Sequence, residues 1–138
     1  MDWKLELIVV PVTDVDRAKA FYTERLGFHL DVDHRAGDAF RVVQMTPPGS
    51  ACSITIGIGV NAGEPGTTKG LHLVVDDIAA AAAHLDAGGV EHGGVQHFED
   101  GRMLPGPDPE GRDYGSFIFF DDPDGNSWAV QEVRSRTA

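Results

Sequence analysis

The chain has 138 residues, of which 41% are hydrophobic and 24% are charged, and it carries a formal net charge of −11. This length and composition predict one globular domain, spanning residues 1–138, with a core of its own. The acidic excess disfavours nucleic acid and anionic membrane surfaces as partners, because their phosphates would be repelled. Cys52 is the only cysteine, which excludes an intrachain disulfide and favours a reducing, cytoplasmic location. No segment has the pattern of a signal peptide or of a membrane span.

The first half of the chain predicts the element order βαβββ. Residues 5–12 form an apolar run that is typical of a strand, and Asp14 is placed to cap the helix that follows. Apolar side chains then recur at helical spacing as far as Leu26, and Gly27 ends the helix. The three strands that follow are predicted at residues 28–33, 40–45 and 53–60.

The second half predicts the same order, after a linker at residues 61–69 that shows no periodicity. A strand is predicted at residues 71–75, and a helix capped by Asp77 at residues 78–87. Further strands are predicted at residues 90–98, 116–120 and 126–133, followed by a disordered tail at 134–138.

One segment breaks this symmetry. Residues 99–115 are rich in glycine and proline and predict a long loop. Loops of this length inside a compact domain are typical of lids and binding loops. The apolar residues Met103, Leu104 and Tyr114 favour a lid over a bound molecule rather than a tolerated insertion.

Two pairs of matching segments indicate an internal duplication. The helix start at residues 12–18 is matched 63 positions later at residues 75–81, and the turn at residues 47–50 is matched 76 positions later at residues 123–126. A duplicated unit that buries its apolar face against its copy predicts one pseudo-symmetric domain with a shared cleft. The predicted boundaries are module 1 at residues 4–60, the linker at 61–69 and module 2 at 70–133.

These segments resemble a known family. The run DVDRAKAFY at residues 14–22, followed by LGF at 26–28, is similar to the first helix of the vicinal oxygen chelate superfamily, and DPDGN at residues 122–126 is similar to its second-half hairpin. The family includes glyoxalase I, extradiol dioxygenases, epimerases, fosfomycin-modifying enzymes and bleomycin-resistance proteins. The resemblance implies an α+β fold in which two βαβββ modules in tandem form a curled, mixed-sheet cup. Because the fold hosts several chemistries, it does not by itself fix the function.

Metal-bearing members of this family place four side chains in the cup, two from each module, on the first and last strands. The spacing from the helix caps and the turn glycines carries these positions onto Leu7, Ser53, Gly70 and Ala129. None of these side chains is a good metal donor, so the expectation is a cup with no metal and no other cofactor. A displaced metal site around His72, with His97 and Glu99, is the alternative.

A cup without metal is expected to bind a small molecule. Strand alternation points one set of side chains inwards, and residues near the loops add others. Phe21, Phe117, Phe119 and Trp128 are assigned to the core. The predicted ligand-binding residues are Leu7, Val9, Phe40, Ser53, Thr55, His72, Met103, Tyr114, Ala129 and Gln131.

Three functions remain open. The first is a metal-free protein that sequesters a hydrophobic, aromatic small molecule, similar to the antibiotic-resistance branch of the family, in which two-fold homodimers are typical. The second is a lyase, isomerase or dioxygenase that uses the displaced metal site. The third is a metal-free enzyme of secondary metabolism with His72 as its catalytic acid or base and Tyr114 or Arg41 orienting a carbonyl group.

Overall fold

The computed structural model describes residues 1–60 and 62–136 and shows an α+β fold with two mixed sheets, of four and five strands. Among these residues, no helix has both the length and the apolar character needed to cross a membrane. The elements of the first half are β1 (Leu7–Val9), α1 (Val15–Ala20), a π-helical turn (Phe21–Arg25), β2 (His29–Arg35), β3 (Arg41–Thr46) and β4 (Ser53–Ile58). Those of the second half are β5 (Leu71–Val75), α2 (Ile78–Ala87), β6 (Gln96–Glu99), β7 (Arg102–Pro105), β8 (Ser116–Asp121), β9 (Ser127–Glu132) and a 3₁₀ turn (Arg134–Arg136).

The chain divides into two compact units. The first unit contains residues 1–68 together with 122–126, and the second contains residues 69–121 and the chain from Ser127 onward. The β8–β9 turn of the second repeat therefore belongs to the first unit.

The first unit contains a sheet with the strand order β1-β4-β3-β2, in which only the β1–β4 pair is parallel. Asp14 caps α1 as predicted, because its carboxylate accepts a hydrogen bond from the Arg17 backbone N–H at 3.0 Å. The first strand is shorter than the predicted residues 5–12. Val10 N–H still donates to the Thr55 carbonyl, but Pro11 has no N–H with which to extend the ladder.

The second unit contains a sheet with the order β5-β9-β8-β6-β7. Its first four strands repeat the topology of the first sheet, and β7 is the addition. The predicted bounds of β5 and α2 are confirmed, and the Asp77 carboxylate caps α2 through the Ala80 N–H. The 3₁₀ turn replaces the start of the predicted disordered tail, and residues 137 and 138 lie outside the described residues.

Two predicted elements of the second unit are wrong. The strand predicted at residues 90–98 begins only at Gln96, because Gly94 leaves the extended conformation with a φ of +80° and donates its N–H to His92 Nδ1. The segment 99–115 is not a continuous loop, because β7 pairs antiparallel with β6 across a two-residue turn at Asp100 and Gly101.

The two motifs that carry the family resemblance meet in the first unit. The Tyr22 hydroxyl donates to Asp122 Oδ2 at 2.7 Å, and both residues are buried. Asp122 also accepts hydrogen bonds from the Asp124 N–H and from the backbone and side-chain N–H groups of Asn126, at 2.8–2.9 Å. Asn126 Nδ2 in turn donates to the Pro11 carbonyl. These motifs therefore hold the fold together through one buried polar network.

Candidate functional site

One face of the second sheet carries most of the candidate residues of that unit. The strand register places Ala129 between His72 and Phe119, and Gln131 between Val74 and Phe117. Because side chains alternate along strands, these six residues share one face. The opposite face is the core side, where Trp128, Val130 and Glu132 of β9 are buried.

Apolar side chains on this face and on the hairpin beside it stay accessible to solvent. Phe98, Met103 and Tyr114 are 56%, 39% and 48% exposed. The rings of Phe117 and Phe119 are stacked at a centroid distance of 5.8 Å, and Phe119 is 39% exposed. The assignment of Phe119 to the core is therefore wrong, Phe117 is half-buried, and the assignment of Phe21 and Trp128 to the core is confirmed. A row of exposed aromatic rings is typical of a surface that binds an apolar partner.

A pocket of about 360 Å³ lies among these rings. This volume falls in the range of sites that bind small organic molecules. A second cavity of about 390 Å³ shares Phe98, Asp108 and Arg112 with it and is otherwise lined by Glu99, Asp100, Pro109 and Glu110. The pocket itself is lined by Phe98, Met103, Asp108, Arg112, Asp113, Tyr114, Gly115 and Phe117.

The segment after β7 forms a braced wall of this pocket. The buried Asp108 carboxylate accepts two hydrogen bonds from the Arg112 guanidinium, at 2.9 and 3.0 Å, and one from the Arg112 backbone N–H. The guanidinium holds the pKa of Asp108 well below its usual range. A Cβ at Gly115 would collide with the same carboxylate, so a side chain there would displace the brace. The ion pair therefore fixes the local conformation of this wall, and a role of the segment as a lid stays a prediction.

Tyr114 has a backbone conformation that non-glycine residues seldom adopt, with a φ of +64°. Its N–H donates to the Glu132 carbonyl at 2.8 Å, and its own carbonyl accepts a hydrogen bond from Gln131 Nε2 at 3.2 Å. These bonds keep the residue in a strained position at the rim of the pocket. Such strain is concentrated at functional sites in other proteins.

His72 is the polar residue of β5 and lies on the sheet face described above. Its Nδ1 lies 3.3 Å from Gln131 Oε1, and the side chain is exposed. Gln131 thus connects His72 to the Tyr114 backbone. His72, Ala129 and Gln131 therefore share a sheet face, and Met103 and Tyr114 line the pocket. Their part in ligand binding stays a prediction.

The other predicted ligand-binding residues belong to the first unit. Leu7 pairs with Ser53 and Val9 with Thr55 in the β1–β4 register. Ser53 Oγ lies 2.6 Å from Thr46 Oγ1, whereas the buried Thr55 hydroxyl has no hydrogen-bond partner. Phe40 lies immediately before β3 and is 38% exposed. The part of these residues in ligand binding stays a prediction.

Arg41 cannot orient a substrate as the third hypothesis supposes. Its guanidinium is almost fully buried and contacts Asp33 at 2.9 Å and Asp16 at 2.8 Å. Asp33 also binds Lys19 of α1, and its pKa is lowered chiefly by Arg41 and then by Lys19. Arg41 therefore ties β3 to β2 and α1.

The residues at the family's metal positions do not fit a metal ion. In the sheet register Leu7 pairs with Ser53, and His72, rather than Gly70, pairs with Ala129. His72 is therefore the register counterpart of Leu7. Of the four paired side chains, Leu7, Ser53, His72 and Ala129, only the His72 imidazole is a ligand that metal ions favour. Among residues 1–60 and 62–136, no three His, Cys, Asp or Glu side chains gather as a metal site would require. The alternative site of His72, His97 and Glu99 is thus not assembled.

His97 is held instead by two hydrogen-bond acceptors. Its Nδ1 lies 2.9 Å from the Gly106 carbonyl and its Nε2 lies 3.2 Å from Glu99 Oε2. Both nitrogens can donate only when the imidazole is protonated. The Gly106 carbonyl, and to a smaller degree Glu99, therefore raise the pKa of His97 above its ordinary 6.5.

We expect this histidine to make stability depend on pH. A raised folded-state pKa adds stability that is complete below the unfolded pKa, near 6.5, and is lost as the pH rises through the folded pKa. The urea midpoint should thus fall between about pH 6 and 8, and it should fall less in His97→Gln. His34→Gln replaces an exposed histidine of β2 and serves as the control for the substitution itself. Parallel pH profiles for wild type and His97→Gln would contradict this expectation.

Known proteins share both the sequence pattern and this architecture. A model of the Glyoxalase/Bleomycin resistance protein/Dioxygenase superfamily matches residues 4–130. TnmS3, an antibiotic binding protein from Streptomyces sp. CB03234, is 32% identical, with 96% of this chain and 97% of that chain covered and a TM-score of 0.74. A glyoxalase/bleomycin resistance protein from the same strain is also 32% identical, with coverage of 94% and 100% and a TM-score of 0.71.

A more distant relative is YetH, an uncharacterized protein of Bacillus subtilis (strain 168). It is 25% identical over 126 residues, which cover 91% of this chain and 94% of YetH. The family match spans both halves of the chain, and the two mixed sheets have the fold of these solved structures. The resemblance seen in the sequence is confirmed: the chain belongs to the Glyoxalase/Bleomycin resistance protein/Dioxygenase superfamily.

Proposed function

We propose that this protein binds and sequesters a flat, largely apolar aromatic compound of the antibiotic type, without a metal ion. The observation that carries the proposal is the pocket of about 360 Å³ beside Phe98, Met103, Tyr114 and Phe117. Exposed aromatic rings cost free energy in water, and covering them with a flat ligand recovers it. The similarity to an antibiotic binding protein supports the same function.

The test is direct binding of acridone, a planar, neutral, fluorescent three-ring compound. A pocket of this size should bind it with a Kd on the order of 10 to 100 µM. Phe98→Ser should weaken binding about fivefold, because the ring contributes a wall of the pocket. Ile58→Ser removes an exposed apolar side chain from the first unit and should leave the Kd unchanged. An absence of binding to the wild type, or equal losses in both variants, would refute the proposal.

The proposal includes a cytoplasmic location and assembly as a two-fold homodimer. Trp3 and Leu5 support self-association, because they are 86% and 68% exposed in the chain. Sedimentation at micromolar concentration should give twice the mass of one chain, and a Trp3→Ser, Leu5→Ser double variant should shift the equilibrium towards the monomer. A wild type that sediments as a monomer would contradict this part of the proposal.

A further inference from the structure

We propose that Arg112 selects the ligand, by offering the flat face of its guanidinium to an electron-rich aromatic ring that carries no negative charge. This inference rests on the proposed function, and it names the class of compound that the pocket takes. Arg112 lines the aromatic pocket and the adjoining cavity alike, so a ring in either one lies beside it.

Each nitrogen of this guanidinium already lies beside a carboxylate. Nε donates to Asp108 Oδ2 at 2.9 Å, Nη2 donates to Asp108 Oδ1 at 3.0 Å, and Nη1 lies 3.2 Å from Glu110 Oε2. All three nitrogens thus have carboxylate partners that lie towards the edges of the planar group. The Arg112 side chain is nevertheless 62% exposed, so its planar faces are open to a ligand.

A guanidinium fixed in this way is a suitable platform for stacking. Its orientation is set by the buried Asp108, so little side-chain entropy is lost when a ring covers it. A cation is attracted to the negative face of an electron-rich ring and repelled by the face of a ring with inverted polarity. Phe98 also borders both cavities and supplies an apolar surface for the same ring.

The charges around the platform determine which ligands are excluded. Asp108 and Glu110 compensate the Arg112 cation, and Glu99 and Asp100 line the adjoining cavity. The chain as a whole carries a net charge of −11. An anionic aromatic compound would therefore be repelled although an arginine lines the pocket. A neutral or cationic compound is accepted.

The alternative is that Arg112 only braces the pocket wall through Asp108. A pair of probes with the same shape separates the two roles. Naphthalene and octafluoronaphthalene are both flat and unable to donate conventional hydrogen bonds, but their ring faces have opposite polarity. Each is titrated against bound acridone, and the ratio of the two Kd values is taken for every variant. The ratio cancels losses that affect both probes equally, as a loosened wall would.

The change in this ratio between wild type and variant distinguishes stacking on Arg112 from a role as a brace alone. Arg112→Met keeps most of the side-chain length but removes the charge. It should raise the Kd of naphthalene relative to the Kd of octafluoronaphthalene by about two- to fivefold compared with wild type. Arg134→Met is the matched control, because Arg134 is 63% exposed, is paired with Glu132 and lines neither cavity. It should keep the wild-type ratio.

Each outcome is informative. An Arg112→Met ratio equal to that of wild type overturns the inference and leaves the proposed function standing, whereas a wild type that binds no acridone overturns both. Should Arg112→Met fail to fold, naphthalene-1-sulfonate provides the second measurement on wild type. It is expected to bind at least tenfold more weakly than naphthalene, and equal or tighter binding of the sulfonate would overturn the inference.

Discussion

Replacing Asp122 by alanine is expected to lower the free energy of unfolding by about 3 kcal/mol. The buried carboxylate accepts four hydrogen bonds, from the Tyr22 hydroxyl, the Asp124 N–H and two N–H groups of Asn126. Removing it leaves these donors without their acceptor inside the protein, and an unsatisfied buried donor costs more than a lost hydrogen bond. Urea unfolding followed by circular dichroism measures the change.

Two further variants calibrate that result. Tyr22→Phe removes one of the four donors and should cost about 1 kcal/mol. Asp121→Ala removes a neighbouring carboxylate that is exposed, and it should change stability by less than about 0.5 kcal/mol. If Asp122→Ala were no more damaging than Asp121→Ala, the network would not have the structural role assigned to it.

The second large effect is expected at Tyr114, where stability and binding should separate. Tyr114→Gly should weaken acridone binding about tenfold, because the pocket loses an exposed aromatic wall. The melting temperature should not fall, because glycine adopts the φ of +64° without strain and this offsets its greater freedom in the unfolded chain.

Tyr114→Phe is the control for this result. It keeps the ring and the strained backbone, so binding should stay within about twofold of wild type. A Tyr114→Gly protein that binds acridone as tightly as wild type would show that the pocket does not hold the ligand, even if the fold is intact.

Local signals in the sequence were sufficient for much of the fold. Asp14 and Asp77 are helix caps whose side chains bond to N–H groups three residues ahead, so the sequence neighbourhood decides them. The β6–β7 hairpin was missed although a signal was present. Asp100-Gly101 is a dipeptide that favours a two-residue hairpin turn, and here both residues have positive φ.

The site was harder to predict because it depends on what covers each face of a sheet. Alternation placed Ala129 and Gln131 on one face, but it could not reveal that Phe119 stays exposed and Phe117 only half-buried on that same face. Likewise, Arg41 pairs with Asp33, which is 8 positions away, and with Asp16, which is 25 positions away. The pocket wall depends on the Asp108–Arg112 pair, which no motif in the sequence marks.

The assignment of the 122–126 turn to the first unit has a consequence for the engineering of hybrid proteins. The sequence has the pattern of a tandem duplication, but a fragment that ends at Thr68 would lack Asp122 and Asn126. The Tyr22 hydroxyl and the Pro11 carbonyl would then lose their hydrogen-bond partners. The two sequence repeats therefore cannot be exchanged as independent units. A chimera with a relative must graft these five residues together with the amino-terminal half, from the same parent.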